Sequence, residues 1–91
     1  MDFFMKYLTE TIEAINDSIE KNYFTISTKL VKKHNGIRPK DRSKTNFIWR
    51  SLQFLENHDI LEVNGASNPK QYHIVPTEKI DIDNFIQQIK K

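Results

Sequence analysis

Phe4, Leu8, Ile12, Ile15 and Ile19 recur at steps of four, four, three and four, which lays one apolar stripe along one face and predicts a helix over residues 3–21. Phe3, Met5 and Tyr7 widen that stripe near its start, and Asn22 ends it. Tyr23-Phe24-Thr25-Ile26 is a short β-prone run. Ser27 or Thr25 then caps a second helix over about 27–34, with Leu30 and Val31 inward and Lys29, Lys32 and Lys33 outward. Asn35-Gly36 stops it, because both residues tolerate the left-handed conformation that closes a helix. The segment Ile37-Arg38-Pro39-Lys40 is a linker, since Pro39 disfavours helix at Arg38.

A third helix is predicted from about 41 to 57, capped by Asp41 or Ser43. Phe47, Ile48, Ser51, Leu52 and Leu55 share one face, with Phe54 at its margin, and Asn46, Trp49, Arg50 and Gln53 share another. Asn57-His58-Asp59 closes this helix, and strand Ile60–Val63 follows. Asn64-Gly65 signals a hairpin whose connection, Asn64–Pro69, is longer than a tight turn. The return strand covers Lys70–Val75, with Tyr72 and Ile74 on one face, and Pro76 breaks it. Asp81 or Asp83 caps a last helix to about 90, with Ile82, Phe85, Ile86 and Ile89 on one stripe.

Ninety-one residues fit one domain with a modest core. The apolar residues of the first and last helices outnumber what that core needs. Phe3, Phe4, Tyr7, Phe85, Ile86 and Ile89 are therefore expected to include a dimer surface, and a homodimer is the expected assembly. The chain has no cysteine, so disulfides and thiolate metal sites are excluded. The opening residues lack the basic leader of a signal peptide, and no apolar run approaches the roughly 18 residues that span a bilayer, so a soluble, cytoplasmic protein with no membrane contact is expected.

The net charge of +2 conceals a strong segregation. Residues 1–22 carry five acids (Asp2, Glu10, Glu13, Asp17, Glu20) against two lysines, whereas residues 23–50 carry eight bases against Asp41 alone. The bases are Lys29, Lys32, Lys33, Arg38, Lys40, Arg42, Lys44 and Arg50. Residues 51–91 return to a slight acidic excess. A basic block of this kind serves either as an ordinary solvated face or as the footprint of an anionic partner, and the segregation favours the partner.

Catalytic constellations are missing. His34, His58 and His73 fall on three separate elements without metal-ligand spacing. No Gly-rich loop could cradle a phosphate, and no serine or lysine sits in a recognisable nucleophile setting. Asp81 and Asp83 have the spacing of calcium-loop ligands, but no third ligand or glycine follows, and they read as helix caps. A non-enzyme is expected, with no catalytic residues, no metal, no cofactor and no evident small-molecule ligand.

From Phe24 to Val75 the order of elements resembles the winged helix-turn-helix family of DNA-binding proteins, as found in small archaeal, bacterial or viral regulators. The resemblance rests on Ile26–Val31 before the turn, Ser43–Leu55 as recognition helix, the ending Glu56-Asn57-His58-Asp59-Ile60-Leu61, and the hairpin Asn64–Lys70 as wing. It covers about 50 of the 91 residues and is carried by element order and apolar spacing. Asp59 stands where the family often has glycine, and Asn35–Lys40 is longer than the tight family turn.

The implied fold is α+β and mostly helical, a winged helix-turn-helix with extra N- and C-terminal helices: residues 1–22 a first helix, 23–75 the winged core, 76–91 a final helix. The implied function is binding of double-stranded DNA, sequence-specific or architectural, by a small transcriptional regulator. A major groove admits one helix. Arg42, Ser43, Lys44, Thr45, Asn46, Trp49, Arg50 and Gln53 would enter it. Lys29, Lys32, Lys33, Arg38 and Lys40 would contact phosphates. Asn64, Ser67, Asn68 and Lys70 would supply the wing. The acidic face of the first helix should then lie opposite the recognition helix. A protein-docking module within a transcription or replication complex is the rival reading, favoured if Trp49, Phe54 and apolar neighbours form one exposed patch. Single-stranded nucleic acid, stacking on Trp49 and Tyr23, is a third.

Overall fold

The computed structural model describes residues 3–38, 40–63 and 71–89. They form four helices and one three-stranded antiparallel sheet, in the order α1 (Phe3–Glu20), β1 (Thr25–Ile26), α2 (Thr28–His34), α3 (Arg42–Asn57), β2 (Leu61–Val63), β3 (Tyr72–Ile74) and α4 (Ile82–Ile89). The chain is therefore an α+β domain dominated by helix. The strands are shorter than the β-prone runs that predict them: ladder partners are Thr25 and Ile26 at the end of the first run, Leu61–Val63 at the end of the second and Tyr72–Ile74 within the third.

In the sheet β3 is central, between β1 and β2. Thr25 faces His73 and Ile26 faces Tyr72 on one side, while Leu61 faces Ile74 and Val63 faces Tyr72 on the other. Alternation along β3 sends Tyr72 and Ile74 into the core and leaves His73 exposed. Two further backbone bonds lengthen the sheet, Ile74 N–H to Phe24 C=O at 2.9 Å and Val75 N–H to Ile60 C=O at 3.0 Å.

The core gathers one stripe from each long helix. Leu8, Ile12 and Ile15 of α1 and Ile48, Leu52 and Leu55 of α3 are fully buried, joined by Val31 of α2 and by Ile26, Leu61, Tyr72 and Ile74 of the sheet. Each such side chain contributes roughly 1.5–3 kcal/mol relative to exposure. Thr11 and Ser51 are buried too. Their hydroxyls donate to the carbonyls of Tyr7 (2.7 Å) and Phe47 (2.8 Å) one turn back, so neither is an uncompensated polar group.

Aromatic rings seal the α1–α3 contact. Tyr7 stacks on Phe47 with centroids 5.4 Å apart, and Phe4 meets Phe54 edge-on at 5.6 Å. Tyr7 is only 6% exposed, which corrects its expected place on a dimer surface: its ring closes the core of its own chain. Phe4, Phe85 and Ile89 are half-buried against the core, Ile86 is half-buried, and Phe3 stays 63% exposed.

The helix ends follow local chemistry. The Ser27 side chain accepts from Leu30 N–H at 3.3 Å, and Asp41 Oδ1 accepts from Lys44 N–H at 3.1 Å. Asp81 Oδ1 accepts from Asn84 N–H at 3.1 Å, which makes Asp81 rather than Asp83 the cap of α4. Asn22, Gly36 and Asp59 close the three preceding helices with φ of 59°, 65° and 62°. The asparagine and aspartate tolerate this left-handed geometry because their short side chains bond locally.

One contact has no sequence signature. The Asn16 side-chain amide pairs with the Ile80 backbone in both directions, Nδ2 donating to the carbonyl at 2.9 Å and Oδ1 accepting from N–H at 2.7 Å. Together with the Lys79–Glu20 ion pair at 3.1 Å, it fastens the segment before α4 to α1.

The Tyr72 hydroxyl is buried and finds no hydrogen-bond partner among the described residues. Burial first, and the Glu56 carboxylate second, hold its pKa above the ordinary value. An orphaned hydroxyl costs about 1–3 kcal/mol, so Tyr72→Phe, which keeps the ring, is expected to raise Tm by several degrees in a thermal melt. A lowered Tm would show that the hydroxyl is satisfied. The raised pKa also fixes a sign: the unfolded chain ionises this phenol first, so stability present below about pH 10 is lost as pH climbs from there through the folded value. The loss should be smaller in Tyr72→Phe. In the same assay Asp41→Ala should cost about 1 kcal/mol, or roughly 5 °C, by freeing the first turn of α3; an unchanged melt would remove the cap from the account.

Candidate nucleic-acid interface

The buried and exposed stripes of α3 lie on opposite sides of the helix. Ile48, Ser51, Leu52 and Leu55 turn inward against the core. Arg42, Ser43, Asn46, Trp49 and Arg50 are exposed, as is Lys44 at the first turn. Asp41 fixes where this helix begins. Its side chain caps Lys44 N–H, its carbonyl accepts the Thr45 hydroxyl at 2.6 Å, and its second carboxylate oxygen lies 3.7 Å from Lys44 Nζ.

Two residues sit differently from their sequence expectation. Thr45 is half-buried and its hydroxyl proton is engaged by the Asp41 carbonyl, so it offers little to a groove. Gln53 is also half-buried. Trp49 is 45% exposed within the polar stripe. Phe54 does not join it in a surface patch, because its ring packs on Phe4 and, at 4.3 Å between centroids, on His58.

A shallow cavity of about 180 Å³ opens on the exposed side of α3. Ser43, Asn46 and Arg50 line it, with the Phe47 ring as its apolar member. Phe47 itself is held by Tyr7 and by Phe3, whose ring centroid is 6.0 Å away.

The remaining bases lie on α2 and in the linker that precedes α3. Lys29 and Lys33 of α2, and Arg38 and Lys40 of the linker, are exposed, and Lys32 is half-buried. Among the described residues Lys29, Lys33, Arg38, Lys40, Arg42 and Arg50 form no ion pair, so their charge is not cancelled locally. The proposed wing residues Asn64, Ser67, Asn68 and Lys70 lie outside the described residues. The ladder that carries them is described: β2 and β3 pair antiparallel, with Val63 facing Tyr72.

On α1 the acids occupy the side away from the core, with Glu13 and Glu20 exposed and Glu10 and Asp17 half-buried. One of these acids meets bases of α2. Asp17, paired with Lys21 at 3.0 Å, lines one cavity together with Lys33 and His34 of α2. The reason is that α2 packs beside α1, which brings the edges of the two charged faces together.

Within the described residues no helix is long and apolar enough to cross a membrane, and no group of three or more His, Asp or Glu is placed to hold a metal ion. No family model matches the chain, and no curated protein or solved structure matches it.

Proposed function

We propose that this chain is a winged helix-turn-helix protein that binds double-stranded DNA, with α3 entering the major groove and the β2–β3 hairpin as wing. One observation carries the reading. The exposed stripe of α3 is polar and basic along its N-terminal half, and the segment that leads into it carries the exposed bases Lys29, Lys33, Arg38 and Lys40, which form no ion pair among the described residues. The chemistry fits the task. Asn46 suits an adenine edge, and Arg42 or Arg50 suits guanine. Lys29, Lys32, Lys33, Arg38 and Lys40 supply phosphate contacts that set affinity and register. A small transcriptional regulator working in the cell interior is the role this set of residues suits.

The proposed assembly is a homodimer. All four apolar residues of α4 are only half-buried, and Ile86 is absent from those packed on the core, so this helix has apolar surface left for a second copy. A two-fold pair would offer two α3 helices to successive turns of a duplex.

The 45% exposure of Trp49 favours the second reading, a protein-docking surface in a transcription or replication assembly. Salt separates the two. Titration of a labelled mixed-sequence duplex, followed by fluorescence anisotropy, should give micromolar or tighter binding that weakens steeply with salt. The double variant Lys29→Ala/Lys40→Ala should bind more weakly, with a salt slope reduced by about 2 and an unchanged melt. An unaltered slope would remove these lysines from the phosphate contacts, and no binding at low salt would favour docking. For the dimer, Ile86→Glu should shift sedimentation to the monomer; an unchanged sedimentation coefficient would contradict α4 as the contact.

A further inference from the structure

A second cavity, of about 350 Å³, is lined by residues of α1, β1 and α2 and their flanks, with none from α3. No single stretch of sequence announces it, because its walls come from three elements. Ala14 and Ile26, both essentially buried, form its floor with the half-buried Leu30. The Tyr23 ring stands at the mouth, 53% exposed. The rim is charged: Lys33 and His34 from the last turn of α2, and the Lys21–Asp17 pair from the end of α1.

The volume falls at the lower end of the range of small-molecule sites, roughly 300–1,000 Å³, and an apolar floor with a few polar groups at the edge is their usual composition. The charges choose the ligand. Asp17 is answered by Lys21 at 3.0 Å, whereas Lys33 has no carboxylate partner among the described residues. The rim therefore carries one uncompensated positive charge beside an aromatic face and an aliphatic floor. We propose that this cavity binds a small aromatic carboxylate, its ring laid against Tyr23 and Leu30 and its carboxylate on Lys33. A neutral ring would leave Lys33 unanswered, and a cation would be repelled by it.

The position of Lys33 gives the site a consequence, which rests on the DNA-binding reading above. Lys33 belongs to the band of bases assigned to phosphate, so a carboxylate held there competes with the DNA backbone for the same ammonium group. Occupancy would weaken duplex binding from the side of α2 without touching the exposed stripe of α3. The device is a ligand-responsive release built from one shared lysine.

Naphthoate is a suitable probe, with naphthamide as its neutral counterpart, both titrated into the isotope-labelled full chain and followed by heteronuclear NMR. The site predicts saturable shifts at the amides of Ala14, Tyr23, Ile26 and Leu30, half-saturated by naphthoate below about 1 mM and by naphthamide about tenfold higher. Lys33→Met should bring naphthoate to the level of naphthamide while the spectrum stays that of a folded chain. Tyr23→Ala should weaken both. Non-saturable shifts, equal affinity for the two probes, or indifference to Lys33→Met would each overturn the site. Saturating naphthoate should also weaken duplex binding about threefold or more at low salt. An unchanged duplex affinity with a filled cavity overturns the competition alone, whereas a chain that binds naphthoate but no duplex overturns the DNA reading and leaves the cavity standing.

Discussion

The clamp between α1 and α3 is the constraint on which the rest depends. Ile48, Leu52 and Leu55 are fully buried, and turning α3 about its axis would expose them at roughly 1.5–3 kcal/mol each, a total comparable with the whole stability of a small domain. The stacked Tyr7–Phe47 pair and the edge-on Phe4–Phe54 pair add directional contacts at the same seam. Because the apolar stripe is pinned inward, the opposite stripe, with Asn46, Trp49 and Arg50, is held outward. The exposed stripe of this helix is thus a by-product of the way its other side packs.

The smaller elements serve that clamp. The sheet supplies Tyr72 and Ile74 to the core from one short central strand, at the cost of a phenol with no hydrogen-bond partner among the described residues. Asp41 sets the first turn of α3, and so determines which way Arg42, Ser43 and Lys44 leave the helix. The Asn16–Ile80 amide pairing fixes the path into α4, whose own apolar stripe is too little buried to anchor it alone. Local polar chemistry therefore orients the ends of elements, and apolar burial holds their middles.

Much of this was legible in the sequence because helical periodicity and cap residues are local signals. In the stripe Phe4, Leu8, Ile12, Ile15, Ile19 and the stripe Phe47, Ile48, Ser51, Leu52, Leu55, every residue but the half-buried Phe4 and Phe47 is buried as the spacing predicts. Ser27, Asp41, Gly36 and Asp59 take the terminal roles that their chemistry suits. What spacing could not settle was the share each apolar residue takes of the core. Tyr7 read as spare surface, yet it meets Phe47, forty positions away in sequence, and burial of the pair depends on how two helices cross. Thr45 read as a groove contact because sequence shows a hydroxyl but not that Asp41's carbonyl already accepts it. The cavity at Ala14, Tyr23 and Lys33 was invisible for the same reason: it exists only once α2 lies beside α1.

The central claim is that the outward stripe of α3 is a DNA-facing surface. Titrating the isotope-labelled chain with a mixed-sequence duplex and mapping chemical-shift changes tests it most directly. The account predicts that the largest changes fall on the side chains or amides of Arg42, Asn46, Trp49 and Arg50, with smaller ones along Lys29, Lys33 and Lys40 and little change at Glu13 and Glu20 of α1. Changes centred on α4 or on the acidic side of α1, with α3 silent, would contradict it.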